Sequence, residues 1–210
     1  AAVGIFSLLV GATVRTRRPA DPATLHFFWL AVAFYGVFTF SFSGRLDRVD
    51  WVFYWADQIA TLLLPPLFVH FALVFPERPR AAALATLANR RWTWLYGPPA
   101  LLGLTRAIAL LRASADPAGL IGTIAVLDRL EPLYIGLYLL GGLAIFGVAL
   151  SNARSTTALR QLRWIVWGAA IGSGPFLLAY AVPFAFGATP SLAMQLTAVP
   201  LGLVPLAFAS

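Results

Sequence analysis

Seven apolar blocks separated by short polar connections run at about 1–14, 24–43, 51–75, 92–111, 132–150, 164–186 and 190–209. Six of them approach the ~20 residues with which a helix crosses ~30 Å of hydrocarbon. Their length, and the absence of the ten-residue alternation of a barrel strand, predict helices. Ten of the fifteen arginines lie in the first, third and fifth connections, as Arg15, Arg17, Arg18, Arg78, Arg80, Arg90, Arg91, Arg154, Arg160 and Arg163. Arg45, Arg48, Arg112 and Arg129 lie in the others, and Arg106 alone falls inside a block. Short cytoplasmic loops retain basic residues. The expected fold is therefore an all-α, seven-transmembrane bundle in a single membrane domain over 1–210, with the N-terminus outside and the C-terminus cytoplasmic.

Composition narrows the function. With 60% apolar and 11% charged residues the chain lies far from soluble averages. The net charge of +7 comes from arginines at helix ends rather than along one stripe. It is better explained by topology and contact with anionic lipid heads than by nucleic acid. The lipid bilayer is the expected partner, as a multi-pass protein of a bacterial plasma membrane. Without cysteine there are no disulfides or thiolate metal sites. The first block reaches only ~21 Å, so residues upstream and a cytoplasmic continuation after Ser210 are both expected. Basic residues follow that block instead of preceding it, which argues against a signal peptide.

Pro65, Pro66, Pro175, Pro200 and Pro205 fall within blocks, where each removes a backbone hydrogen bond and is expected to kink its helix. Gly141, Gly142 and Gly147, with Gly168, Gly172 and Gly174, would permit close helix packing. The stretch Arg112–Glu131 reads as the one long outer connection, too small for a ligand domain. No internal repeat is evident, which disfavours an inverted-repeat transporter.

Ionisable groups at membrane depth are the default site candidates. Counted from the block ends, Asp57 lies ~9 Å and Arg106 ~8 Å below the outer surface. Tyr138, Tyr180 and Gln195 fall at similar levels. These five residues form the candidate ligand pocket, with Asp57 expected to pair with Arg106; a purely structural ion pair is the alternative. His26 and His70 lie near the cytoplasmic side. Two histidines on neighbouring helices can ligate haem, but His70 counts as about a turn deeper than His26. No cofactor and no metal are therefore expected here. The chain has no lysine, so a retinal Schiff base cannot form. Hydrolase, phosphate-loop and metalloprotease motifs are absent, and no catalytic residue is expected in these 210 residues.

Three segments carry a resemblance. His70-Phe-Ala-Leu-Val-Phe-Pro-Glu-Arg78 ends the third block, and includes Phe75, Pro76 and Glu77. Arg160-Gln-Leu-Arg-Trp164, with Gln161 and Arg163, opens the sixth and is followed by Gly168, Gly172 and Pro175-Phe176. Val204-Pro-Leu-Ala-Phe-Ala209 ends the seventh. Together they resemble the N-terminal membrane regions of bacterial two-component sensor histidine kinases. The resemblance implies a membrane sensor and anchor acting as a homodimer. It also implies a cytoplasmic kinase beyond Ser210 that binds ATP and Mg and phosphorylates a response regulator. The same residues have a simple physical role: Phe75-Pro76 stops a helix, and Arg160, Arg163 and Trp164 anchor one at the interface. A small-solute transporter or channel-like bundle, and less readily a haem protein, are the alternatives.

Overall fold

The computed structural model describes residues 2–40, 47–75, 93–113, 115, 117–153, 155–189 and 191–204. Among these every regular element is helical. They are α1 (Ala2–Arg17), α2 (Pro22–Thr39), α3 (Arg48–Val74), α4 (Thr93–Leu111), α5 (Pro117–Asn152), α6 (Thr156–Phe176) and α7 (Leu192–Leu196). A π-helical turn, Leu177–Ala181, carries α6 on into Val182–Ala185, and a 3₁₀ turn, Val199–Leu203, follows α7.

Local chemistry accounts for several boundaries. Asp21 caps α2 by accepting from the Ala23 amide at 2.9 Å, with Pro22 at the first helical position. Asp47 caps α3 by accepting from the Asp50 amide at 2.7 Å. At the other end of α3, Phe75 is extended (φ −105°, ψ 144°), the conformation that a following proline imposes. Inside α3 the helix runs unbroken through Pro65 and Pro66, both fully buried.

α3 is the hub, packing against α2, α4 and α5; α1 lies on α2, and α6 packs against α5 and the 3₁₀ turn. The core joins Phe27, Leu30 and Phe34 of α2 to Phe68 and Phe71 of α3 and Phe146 of α5. Gly142 lies directly against the Phe68 ring, and Gly172 against the Pro200 carbonyl and Val204. Gly141, Gly147 and Gly174, by contrast, face open space. Of these five expected glycines, Gly142 and Gly172 are the ones in close approach.

Four helical stretches are long and apolar enough to cross a membrane: Pro22–Thr39, Arg48–Val74, Pro117–Asn152 and Thr156–Ala185. The most apolar window, in α5, has mean hydropathy 2.1 yet is only 28% buried. Its apolar side chains therefore point outward, which is what a lipid solvent accommodates and water does not.

Two expectations change. The stretch read as an outer connection belongs largely to α5, a 36-residue helix that passes through Pro132. Proline forfeits one hydrogen bond, and here that loss does not stop the helix. The seventh block is, among the described residues, a five-residue helix and a 3₁₀ turn instead of one long helix. Pro200 has no N–H with which to continue the ladder.

Candidate functional site

Polar side chains from three helices converge on Arg106. On α3, Tyr54, Asp57 and Gln58 are spaced i, i+3 and i+4, which places them on one face. On α5, Asp128 and Glu131 share a face in the same way. Arg106 reaches both helices from α4. Its Nη2 lies 2.8 Å from Asp128 Oδ1 and 3.3 Å from Glu131 Oε1. Its Nη1 donates to the Tyr54 hydroxyl at 3.2 Å. Gln58 Nε2 in turn donates to Glu131 Oε1. Arg106 and Glu131 are enclosed, their side chains 6% and 15% exposed, whereas Asp128 is 48% exposed.

The expected Asp57–Arg106 pair is therefore replaced by Arg106 with Asp128 and Glu131. Asp57 is half-buried beside this cluster, within electrostatic range of Glu131. Asp128 and Glu131 fall in the stretch Arg112–Glu131, expected to be an outer connection because the fifth apolar block begins only at 132. The signal that was available is their three-residue spacing directly ahead of the most apolar stretch of the chain. Tyr54 and Gln58 carried a similar signal, at helical spacing beside Asp57.

The other expected residues separate. Tyr180 stacks between Phe176 and Phe184, with ring centroids at 5.5 and 5.7 Å, and lies within electrostatic range of Asp128. The Tyr138 hydroxyl donates to the Leu95 carbonyl at 2.8 Å, near the start of α4 and ~16 Å along it from Arg106. Tyr138 is thus at another level, beside Tyr134, whose hydroxyl donates to the Leu62 carbonyl at 2.8 Å. Gln195 is exposed on α7.

Charge decides what this cluster can bind. Asp128 and Glu131 face a single guanidinium that also engages Tyr54, and Asp57 adds a third carboxyl group beside Glu131. An anionic ligand would have to displace a carboxylate, whereas a proton or a small cation would meet surplus negative charge.

A second cluster lies at the opposite end of α3. The His26 and His70 rings are 4.1 Å apart. His26 Nδ1 is 2.8 Å from the Pro22 carbonyl, and His70 Nδ1 is 3.0 Å from the Tyr96 hydroxyl. The expected mismatch in depth is corrected here. Each histidine sits four residues from its helix end, His26 from Pro22 and His70 from Val74, and on antiparallel neighbours that is one level. Among the described residues no group of three or more His, Asp or Glu side chains is placed to hold a metal ion.

Of the motif residues, Phe75 caps α3, while Pro76 and Glu77 lie outside the described residues. Arg160, Gln161, Arg163 and Trp164 are exposed on α6, and Pro175 lies just ahead of the π turn. No protein-family model, no curated protein and no solved structure matches the chain.

Proposed function

We propose that this chain is the membrane-embedded sensory and anchoring region of a bacterial sensor histidine kinase, working in two-component signal transduction. The observation that carries a sensory role is the Arg106 cluster. One enclosed guanidinium ties α4 to α3 and α5 at once, so a stimulus that changes its partners changes the packing of three helices together. Such a stimulus acts by stabilising one of two packings over the other. The kinase identity of the output rests on the sequence resemblance.

In this reading α1, α4 and the segment 190–209 complete seven crossings with the four long helices. The N-terminus is outside, the C-terminus is cytoplasmic, and the unit is a homodimer in the plasma membrane. The surplus carboxylates at Arg106 favour a proton or a cationic group as the stimulus there. Asp57, Arg106 and Tyr180 line that outer region, while Tyr138 and Gln195 are peripheral to it. ATP, Mg and the response regulator belong to the cytoplasmic kinase.

The reading frame immediately after Ser210 tests the assignment. A helical segment leading to a phospho-accepting histidine and an ATPase domain is expected. A frame that closes there would overturn the kinase reading and favour a solute-binding bundle. In the full-length protein, Arg106→Ala should alter the stimulus dependence of autophosphorylation while preserving expression. An unchanged dose response would reduce the cluster to packing.

A further inference from the structure

α6 has two faces. Leu162, Ile165, Ala169, Gly172, Ser173 and Phe176 are buried in the bundle. The outward stripe carries Arg160, Arg163, Trp164, Trp167 and Ile171, and reaches Leu178 beyond the helix end. At the start of this stripe lies a groove of about 560 Å³ lined by Thr156, Leu159, Arg160, Arg163, Trp164 and Trp167.

The groove has cationic and apolar walls and no acidic one. Neither arginine makes an ion pair or a side-chain hydrogen bond with a described residue. One turn apart on a helix, their like charges repel. Both also lie far from the helix C-terminus, where the macrodipole would favour a cation. The described residues thus supply no compensation for either charge, and an anion from outside would supply it for both.

The rest of the stripe indicates what that anion is attached to. Trp164 and Trp167 are 65% and 62% exposed, and beyond them Ile171 and Leu178 are 59% and 78% exposed. The order is cation, indole, then aliphatic. It matches the order of phosphate, glycerol region and acyl chain in a lipid lying along the helix. From Arg163 to Leu178 the helix rises about 22 Å, enough to accompany an acyl chain through one leaflet of about 15 Å, half the hydrocarbon thickness.

We propose that the α6 groove binds an anionic phospholipid, with Arg160 and Arg163 holding the phosphate and Trp164 and Trp167 flanking the glycerol region. Guanidinium groups suit this role because their forked donors match phosphate oxygens. The inference rests on α6 lying in a bilayer and is independent of the sensor reading.

The 210-residue chain, reconstituted in nanodiscs of equal phosphatidylglycerol and phosphatidylcholine and re-extracted, provides the test, with native mass spectrometry counting the retained lipids. The unsubstituted chain should retain phosphatidylglycerol over phosphatidylcholine by about tenfold, consistent with two arginines each worth about one decade or less near anionic lipid. R160Q/R163Q should bring that ratio close to one, and R17Q/R18Q should leave it unchanged. Brominated lipids read the same site with both arginines intact. Tryptophan quenching should be stronger with brominated phosphatidylglycerol, and the excess should vanish in W164F/W167F. Equal retention of the two lipids, or an unchanged ratio in R160Q/R163Q, would overturn the proposal. So would equal thermal stabilisation by millimolar inorganic phosphate, which would make this a free-anion site. Loss of a dimer in R160Q/R163Q with lipid selectivity intact would assign the face to a second copy, and would likewise overturn it.

Discussion

Arg106 is 6% exposed and holds two carboxylates and a phenol. Removing one partner of an enclosed ion pair leaves the other charge uncompensated, a loss of about 3 kcal/mol or more. Arg106→Ala should therefore lower the unfolding temperature in detergent well below that of Asp128→Asn. Asp128 is 48% exposed, and an exposed partner contributes about 1 kcal/mol or less. Arg106→Lys should fall between them, since an ammonium keeps the charge but cannot span α3 and both acids of α5. An Asp128→Asn variant as damaged as Arg106→Ala would contradict this ordering. A second contrast concerns two adjacent glycines. A side chain at Gly142 meets the buried Phe68 ring, whereas one at Gly141 meets nothing within 4 Å. Gly142→Leu should destabilise by about 1–3 kcal/mol through overpacking. Gly141→Leu should be close to neutral, and equal melting of the two variants would place α5 in a different rotation.

At the scale of the elements, α5 is the member whose continuity matters most. It holds Glu131 against Arg106 and, two turns later, Tyr138 against the Leu95 carbonyl. Both attachments are to α4, so the phase between them is set by one uninterrupted helix. Inserting a single alanine between Leu133 and Tyr134 turns everything beyond it by about 100°. One of the two attachments must then be lost, and the unfolding temperature should fall clearly. The same insertion after Asn152, at the helix end, should be tolerated. Equal tolerance of both insertions would show that α5 behaves as two independent segments meeting at Pro132. The π turn after Pro175 is the comparable feature of α6. Irregular turns of this kind concentrate at functional sites, and this one carries Tyr180, within electrostatic range of Asp128 in the Arg106 cluster.

For the molecule as a whole, the apolar exterior of α5 and the arginine asymmetry lead to a topology that can be measured. Reporter fusions after Arg91 and Arg154 should behave as cytoplasmic, and one after Asp116 as external, because basic residues in short loops remain on the cytoplasmic side. The opposite pattern would invert the proposed orientation. That orientation puts the Arg106 cluster toward the outside and the His26–His70 contact toward the cytoplasm, so the two polar clusters lie at opposite ends of α3.

Helical class, the approximate limits of α1 to α4, the C-terminal limits of α5 and of the stretch that continues α6, and the abundance of lipid-compatible surface were already determined by the sequence. Each follows from the length and composition of continuous segments, which local hydropathy reports directly. The stop at Phe75-Pro76 was legible for the same reason, since a proline restricts its immediate neighbour. Only the tertiary structure decided the partners. Arg106 chose Asp128 and Glu131 over Asp57 because α5 extends past Pro132 and brings both acids to α4. His26 met His70 because the helix ends, rather than the block ends, set their levels. Proline signals a lost hydrogen bond in either case, and only packing against neighbouring helices determines whether the helix ends there or continues.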